Sequence, residues 1–307
     1  MNILIIGLGS IAKKHIFALK QLNIIAKIYA LRSKPNSEAL EGVISIYDLN
    51  NIDVFFDFAI ISNPTNLHFK YIELLADKGV NLFIEKPPIS SLENIKILEK
   101  TIQESEIITY VACNLRFHPC IQYIKKNLIS KTKRINEINI YCGSYLPNWR
   151  PNKNFREIYS VNPDMGGGVH LDLYHEIDYT CWLFGIPEKS QHVLRNVSSL
   201  KIDSIDYANY LLEYESFSVN IILNYYRKDA KRSIEIIFED ETWMIDLIRN
   251  NIKNQNEFII FEISDFSIEK SYYLQMQYFI EHSINKRKPM NCLKESLDVL
   301  KICLNNG

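Results

Sequence analysis

The stretch "MGGGVHLDLYHEIDY", Met165 to Tyr179, gathers residue types that can do chemistry. Three glycines open a helix-like segment carrying Asp172, His175 and Asp178, spaced three apart. Polar residues at that interval share one helix face. A helix that only packs needs neither the glycines nor the row of ionisable groups. A second such stretch is "GLGSIA", Gly7 to Ala12, between the apolar run "NILII" and the amphipathic run "SIAKKHIFALKQL". It fits G-x-G-x-x-G/A between a strand and a helix. Gly7 permits the tight turn and Gly9 a close backbone approach. The amide ends of the helix starting at Ser10 and Ile11 suit the pyrophosphate of a dinucleotide. A third stretch, "EKPP", sets Glu85 and Lys86 at a strand end, where the nicotinamide of that ligand should lie. His170 and His175 lie five apart, a poor facing interval on a helix, so no metal site is expected.

These residues need elements to hold them. Apolar runs "NILII", "AKIYALRS", "DVFFDFAIIS" and "VNLFIEKPP" alternate with helical stretches. That order predicts a doubly wound parallel sheet with its ligand beyond the carboxyl ends of the strands. Ser62, Asn63, Pro64, Thr65 and His68 fall at one such end, and Glu85 and Lys86 at another. At the end of the second strand, where a carboxylate would bond an NAD ribose, stand Leu31, Arg32 and Ser33. Arg32 and Ser33 suit a 2′-phosphate, so NADP is the expected cofactor, with NAD as the alternative. Past residues 115–121 the pattern changes to strand-like runs: "INEINIYCGSYL", "SIDYANYLLEYE", "FSVNIILNYYR", "RSIEIIFEDE" and "TWMIDLI". We therefore expect a Rossmann domain over residues 1–118 and an α+β domain over 119–307. The helix "CLKESLDVLKICLNN" fits either one.

The chain has 307 residues, 47% of them hydrophobic, enough for two cored domains. The net charge of −1 leaves no basic surface for nucleic acid or membrane. Six cysteines without metal-ligand spacing read as reduced thiols of a cytoplasmic protein. No stretch reaches the roughly 20 apolar residues of a membrane span, and the N-terminal run lacks the basic start of a secretory signal.

Taken in order, "GLGSIAKKH", "SNPTNLH", "EKPP" and "GGGVHLDLYHEID" make the chain resemble the Gfo/Idh/MocA family of NAD(P)-dependent oxidoreductases over nearly its whole length. "NLRFHP", Asn114 to Pro119, resembles the segment by which that family leaves its nucleotide domain. The resemblance implies a second domain on an open, mostly antiparallel sheet whose outer face serves homo-oligomerisation. Tyr207, Tyr210, Tyr214, Tyr225 and Tyr226 suit that face or the core equally. It also implies hydride transfer between the nicotinamide and a hydroxyl or ketone of a sugar-like substrate. Lys86 would stabilise the alkoxide, Asp172 would hold Lys86 or the substrate, and His175 would carry the proton. The family places its histidine four residues after the aspartate; here Glu176 has that place and His175 precedes it. Glu176 and His170 therefore remain alternative proton carriers.

The long loop "YLPNWRPNKNFREIYSVNPD" adds candidates for the substrate: Trp149 and Tyr159 as flat faces, Arg156 with Arg150 and Lys153 as charge, and Arg116 from the preceding segment. Such a set suits a nucleotide sugar or sugar acid, as in surface-polysaccharide pathways. The competing readings are a dinucleotide-binding sensor or scaffold without turnover, and an enzyme that recycles a tightly held NAD.

Overall fold

Buried parallel strands need apolar residues on both faces, and the first strands have them. In the computed structural model, which describes residues 1–35, 38–130 and 133–305, β1 (Asn2–Ile6) is closed to solvent from Ile3 to Ile6. β4 (Phe58–Ile61) is closed throughout. With β2 (Lys27–Leu31), β3 (Val43–Ile46), β5 (Asn81–Ile84) and β6 (Thr109–Val111) they form one parallel sheet of order β3-β2-β1-β4-β5-β6. The helices between them are α1 (Ser10–Gln21), α2 (His68–Ala76) and α3 (Ile95–Glu104). The order reverses between β1 and β4, and the carboxyl ends of these two strands open the crevice where such sheets bind ligands.

The chain divides into two compact units, and the division departs from the sequence expectation. The first unit is Met1–Asn114 with Glu269–Leu300, and the second is Leu115–Ile268 with the residues from Lys301 onward. The helix α7 (Ile268–Ile284) thus serves the first unit. The reason is aromatic: Phe279 meets Phe58 at 5.2 Å and Phe83 at 5.3 Å, ring centroid to ring centroid. α8 (Leu293–Leu304) gives its first part to the first unit and its end to the second, where Tyr210 donates to the Cys303 carbonyl. So the C-terminal helix does not choose one domain, as the sequence left open. Asn306, the last residue of that stretch, lies outside the described residues.

The second unit holds α4 (Pro119–Ser130), β7 (Ile135–Gly143), α5 (Val169–Asp172), α6 (His175–Phe184), β8 (Lys189–Arg195) and β9 (Tyr207–Glu213). β10 (Ser218–Asn224), β11 (Lys231–Phe238), β12 (Thr242–Asp246), β13 (Asn251–Asn254) and β14 (Ile259–Glu262) complete it. The strands make an eight-stranded sheet, β14-β13-β12-β11-β7-β10-β9-β8, antiparallel except for the β7–β10 pair. Alternation sets its faces: Ile138, Ile140, Val219, Ile221, Ile234 and Ile236 are buried, while Asn139, Asn220, Ser233 and Glu235 alternate with them. Tyr210 and Tyr225 belong to the buried face, not to an outer one.

Phe279→Ala should cost about 3–5 kcal/mol, the usual penalty for emptying a buried aromatic position. Urea unfolding of the whole chain measures it. A near-zero loss would mean that α7 does not close the first unit's core.

Candidate active site

In the first unit the glycine turn lies against the end of β4. Gly7 has φ +82°, and a Cβ there would stand 3.0 Å from the Asn63 backbone, so this position requires glycine on two counts. Gly9 precedes α1 and faces open space, with no atom within 4 Å of where its Cβ would be. Ser10 and Ile11 form the first turn of α1, so their backbone amides face that space. Beside Gly7 the Asn63 carboxamide is buried, and neither its nitrogen nor its oxygen has a hydrogen-bonding partner among the described residues. A buried amide left unpaired is costly, and a polar ligand at the switch point would satisfy it. The residues therefore fit a dinucleotide in this crevice.

The other first-unit candidates divide into those that face ligand space and those that build the wall. Ser62 donates to the carbonyls of Ile6 and Gly7, tying β4 to β1. Thr65 is buried, and Pro64 is half-buried at the start of the turn into α2. The His68 ring lies between two carbonyls, Nε2 at 2.9 Å from Asn63 and Nδ1 at 3.2 Å from Pro88. Burial pushes its pKa down, against the raising effect of the Asn63 carbonyl. Glu85 accepts from His15 Nε2 at 2.5 Å and, through its other oxygen, from the Lys86 amide at 3.3 Å. Glu85 and the fully buried His15 thus fix the backbone that carries the half-buried Lys86. The sequence reading passed over His15; its only mark is a histidine on the apolar face of α1. Arg32 donates from Nη1 to the Glu38 carbonyl at 2.7 Å and to Ser45 Oγ at 3.3 Å, and Ser33 beside it is exposed.

In the second unit the middle glycine of the triplet is hemmed in by backbone. A Cβ on Gly167 would lie 2.4 Å from the Tyr159 carbonyl and 2.7 Å from that of Asn162. The loop's own backbone demands the glycine, with no need of a bound ligand. The helix that follows is not continuous. α5 ends at Asp172, and α6 begins at His175 after a turn at Leu173 and Tyr174. Asp172, His175 and Asp178 therefore do not share one helix face.

Asp178 turns inward, where both its oxygens accept from Arg116 at 2.7 and 2.9 Å. Arg116 is 3% exposed, so the guanidinium expected to bind substrate is held inside the unit. Glu176 is fully buried, and both its oxygens accept from Arg232. A carboxylate so engaged is a structural partner and does not carry protons to substrate. His170 is buried, and burial, with His192 adding, pushes it down to about 4. His175 is half-buried at the head of α6.

Asp172 is half-buried and accepts from the Tyr225 hydroxyl at 2.5 Å. Trp149, 36% exposed, stands edge-on to Tyr225 at 5.3 Å. Tyr159 donates to the Gly166 carbonyl and closes the loop on the triplet. Arg156 donates to the carbonyls of Leu200 and Lys201, which makes it a strap between loops. Among the described residues no cluster of His, Cys, Asp and Glu is placed to hold a metal, and no helix is long and apolar enough to cross a membrane.

A six-stranded Rossmann unit with Asn63 at its switch point and an open eight-stranded sheet thus make up the architecture. Residues 1–113 match the model of the GFO_IDH_MocA family, described as an oxidoreductase family with an NAD-binding Rossmann fold. The chain is 27% identical over 195 residues to the scyllo-inositol 2-dehydrogenase (NADP(+)) IolW of Bacillus subtilis (strain 168). That match covers 62% of this chain and 52% of the relative, so it spans about half of the relative's length. A scyllo-inositol 2-dehydrogenase (NAD(+)) of the same organism is 25% identical, over 78% of this chain and 70% of its own. Among solved structures, levoglucosan dehydrogenase in complex with NADH and levoglucosan superposes with a TM-score of 0.85 at 16% identity. That superposition covers 99% of this chain and 95% of the other, so the two share the fold from end to end.

Two buried histidines make stability depend on pH. Burial holds His118 and His170 at about 4 in the folded protein, against roughly 6.5 when unfolded. Between those values the unfolded chain binds more protons. Stability should therefore be full above pH ~6.5 and fall progressively toward pH ~4. Urea midpoints across that range measure the slope, and His118→Asn or His170→Asn should flatten it. An unchanged slope in both variants would refute the assignment.

Proposed function

We propose that this protein is an NAD(P)-dependent oxidoreductase that moves a hydride between the nicotinamide and a secondary hydroxyl or ketone of a neutral sugar or cyclitol. The observation that carries this reading is the unpaired Asn63 carboxamide beside Gly7 at the switch point. One strand away, Lys86 is braced by Glu85 and His15. The activities for which the similar proteins are named, those of inositol and levoglucosan dehydrogenases, support it.

The nicotinamide, when bound, accepts or supplies the hydride. In the oxidative direction the Lys86 ammonium stabilises the developing alkoxide by charge and hydrogen bond. His175 takes the hydroxyl proton, a task suited to imidazole. Asp172 orients the hydroxyl. A neutral substrate is favoured over a nucleotide sugar or sugar acid because Arg116 is buried and bonded to both oxygens of Asp178. We assign NADP as the preferred cofactor, supported by Arg32 and the absence of a carboxylate at the end of β2. The outer face of the eight-stranded sheet is the proposed surface of a homo-oligomer. A cytoplasmic setting accords with six buried cysteines that form no disulfide.

Myo-inositol, scyllo-inositol and levoglucosan, each with NAD and NADP, form the first panel, followed by nicotinamide absorbance. Turnover of at least one is expected, and Lys86→Ala should lower kcat by about 10²–10³-fold with dinucleotide affinity intact. Activity surviving in Lys86→Ala would remove the lysine from the chemistry. Fluorescence titration should show NADPH binding tighter than NADH. Arg32→Ala should weaken NADPH alone, by about 10–100-fold. Equal losses for both nucleotides would overturn the NADP assignment.

A further inference from the structure

Tyr225 follows directly on β10 and continues its inward face, two residues beyond Leu223. Its backbone is tied at both ends: the amide donates to the Asp206 carbonyl at 3.1 Å, and its own carbonyl accepts from Leu146 at 2.8 Å. The ring is fully buried, with the Trp149 ring perpendicular to it, the two planes 89° apart. Trp149 is fixed in turn by its indole N–H, which donates to Ser144 Oγ at 2.8 Å. Burial first, and then the Asp172 charge, push the Tyr225 phenol well above its ordinary range. The phenol therefore keeps its proton at any working pH and acts as a donor to Asp172 Oδ2.

Asp172 needs such a partner. It ends a helix of only four residues, and the chain turns before α6 begins. The short helix does not by itself fix a carboxylate at that position. The hydroxyl is the one part of Tyr225 that reaches it, since the ring would pack as well in phenylalanine.

We propose that Tyr225 is a positioning residue for the reaction. From one anchored ring it sets the orientation of the Asp172 carboxylate and packs against Trp149, so that the hydroxyl-orienting group and the aromatic surface of the loop keep a fixed relation. The inference rests on the role given to Asp172 above. A carboxylate displaced by a fraction of its reach slows the chemical step far more than it weakens binding.

The test is a double-mutant cycle in the full chain, with myo-inositol, scyllo-inositol and levoglucosan as substrates. Tyr225→Phe should lower kcat by about 10–100-fold with KM for the dinucleotide within roughly twofold. In an Asp172→Asn background the same change should cost nothing further, because the two groups act as one. A second readout needs no turnover: with [ζ-13C]tyrosine labelling, the resonance lost in Tyr225→Phe should shift in Asp172→Asn. Where Tyr225→Phe fails to fold, 3-fluorotyrosine placed at 225 keeps the ring and strengthens the donor, and kcat and that resonance should both respond. Full activity in Tyr225→Phe while Asp172→Asn is inactive overturns the positioning role alone. Full activity in Asp172→Asn overturns the reading of the site beneath it. A resonance indifferent to Asp172→Asn overturns the hydrogen bond itself.

Discussion

A parallel sheet buried on both faces cannot be finished by its own βα units, and that constraint governs this chain. Leu4, Ile60 and Phe83 need cover on two sides, while the connecting helices supply only part of it. The remainder comes from α7, some 150 residues further on, whose Met276 and Phe279 are fully buried in the first unit. The second unit is thus an insertion between the last strand of the Rossmann sheet and the helix that completes it. The core of the nucleotide unit therefore includes residues that follow the other unit in the chain.

Inside the second unit, charge fixes what apolar packing leaves free. α6 sends Glu176 to Arg232 and Asp178 to Arg116, two ion pairs on one short helix. Burying a charge without its partner is strongly unfavourable, while two bidentate pairs specify a single rotation of the helix. That rotation leaves His175 at the head of the helix, half-exposed. The residues which looked like one row are therefore divided: Glu176 and Asp178 set α6, Asp172 ends α5, and His175 stands half-buried at the head of α6.

The fold was legible in the sequence because its signals are local. The run "NILII" before "GLGSIA", and the alternation in "INEINIYC", report burial on two faces and on one face respectively. β3, β6, β8, β13 and β14 went unread because they are short or interrupted by polar residues. The domain boundary was misplaced at its far side, since nothing in the sequence of α7 names the sheet it covers. Gly7, Asn63 and Lys86 stand out from motif and position alone, and the structure sets Gly7 against Asn63 and the Lys86 amide against Glu85. The roles of Arg116, Arg156 and Glu176 could not be read so: an arginine or glutamate carries the same letter whether it meets a substrate or a buried partner. Tyr225 looked like any sheet tyrosine, because its function depends on Asp172, distant in sequence and adjacent only after β10 has packed against α5.

His68 shows what a single proton can and cannot do. Its two nitrogens face two carbonyls, one on the loop after β4 and one on the loop that carries Lys86. A neutral imidazole has one N–H to give, and burial resists the second proton that would serve both. The two loops are therefore rivals for one hydrogen. Whichever tautomer is present binds the ring to one wall of the nucleotide crevice and sets a lone pair against the other, so the walls are joined by a latch that closes on one side at a time.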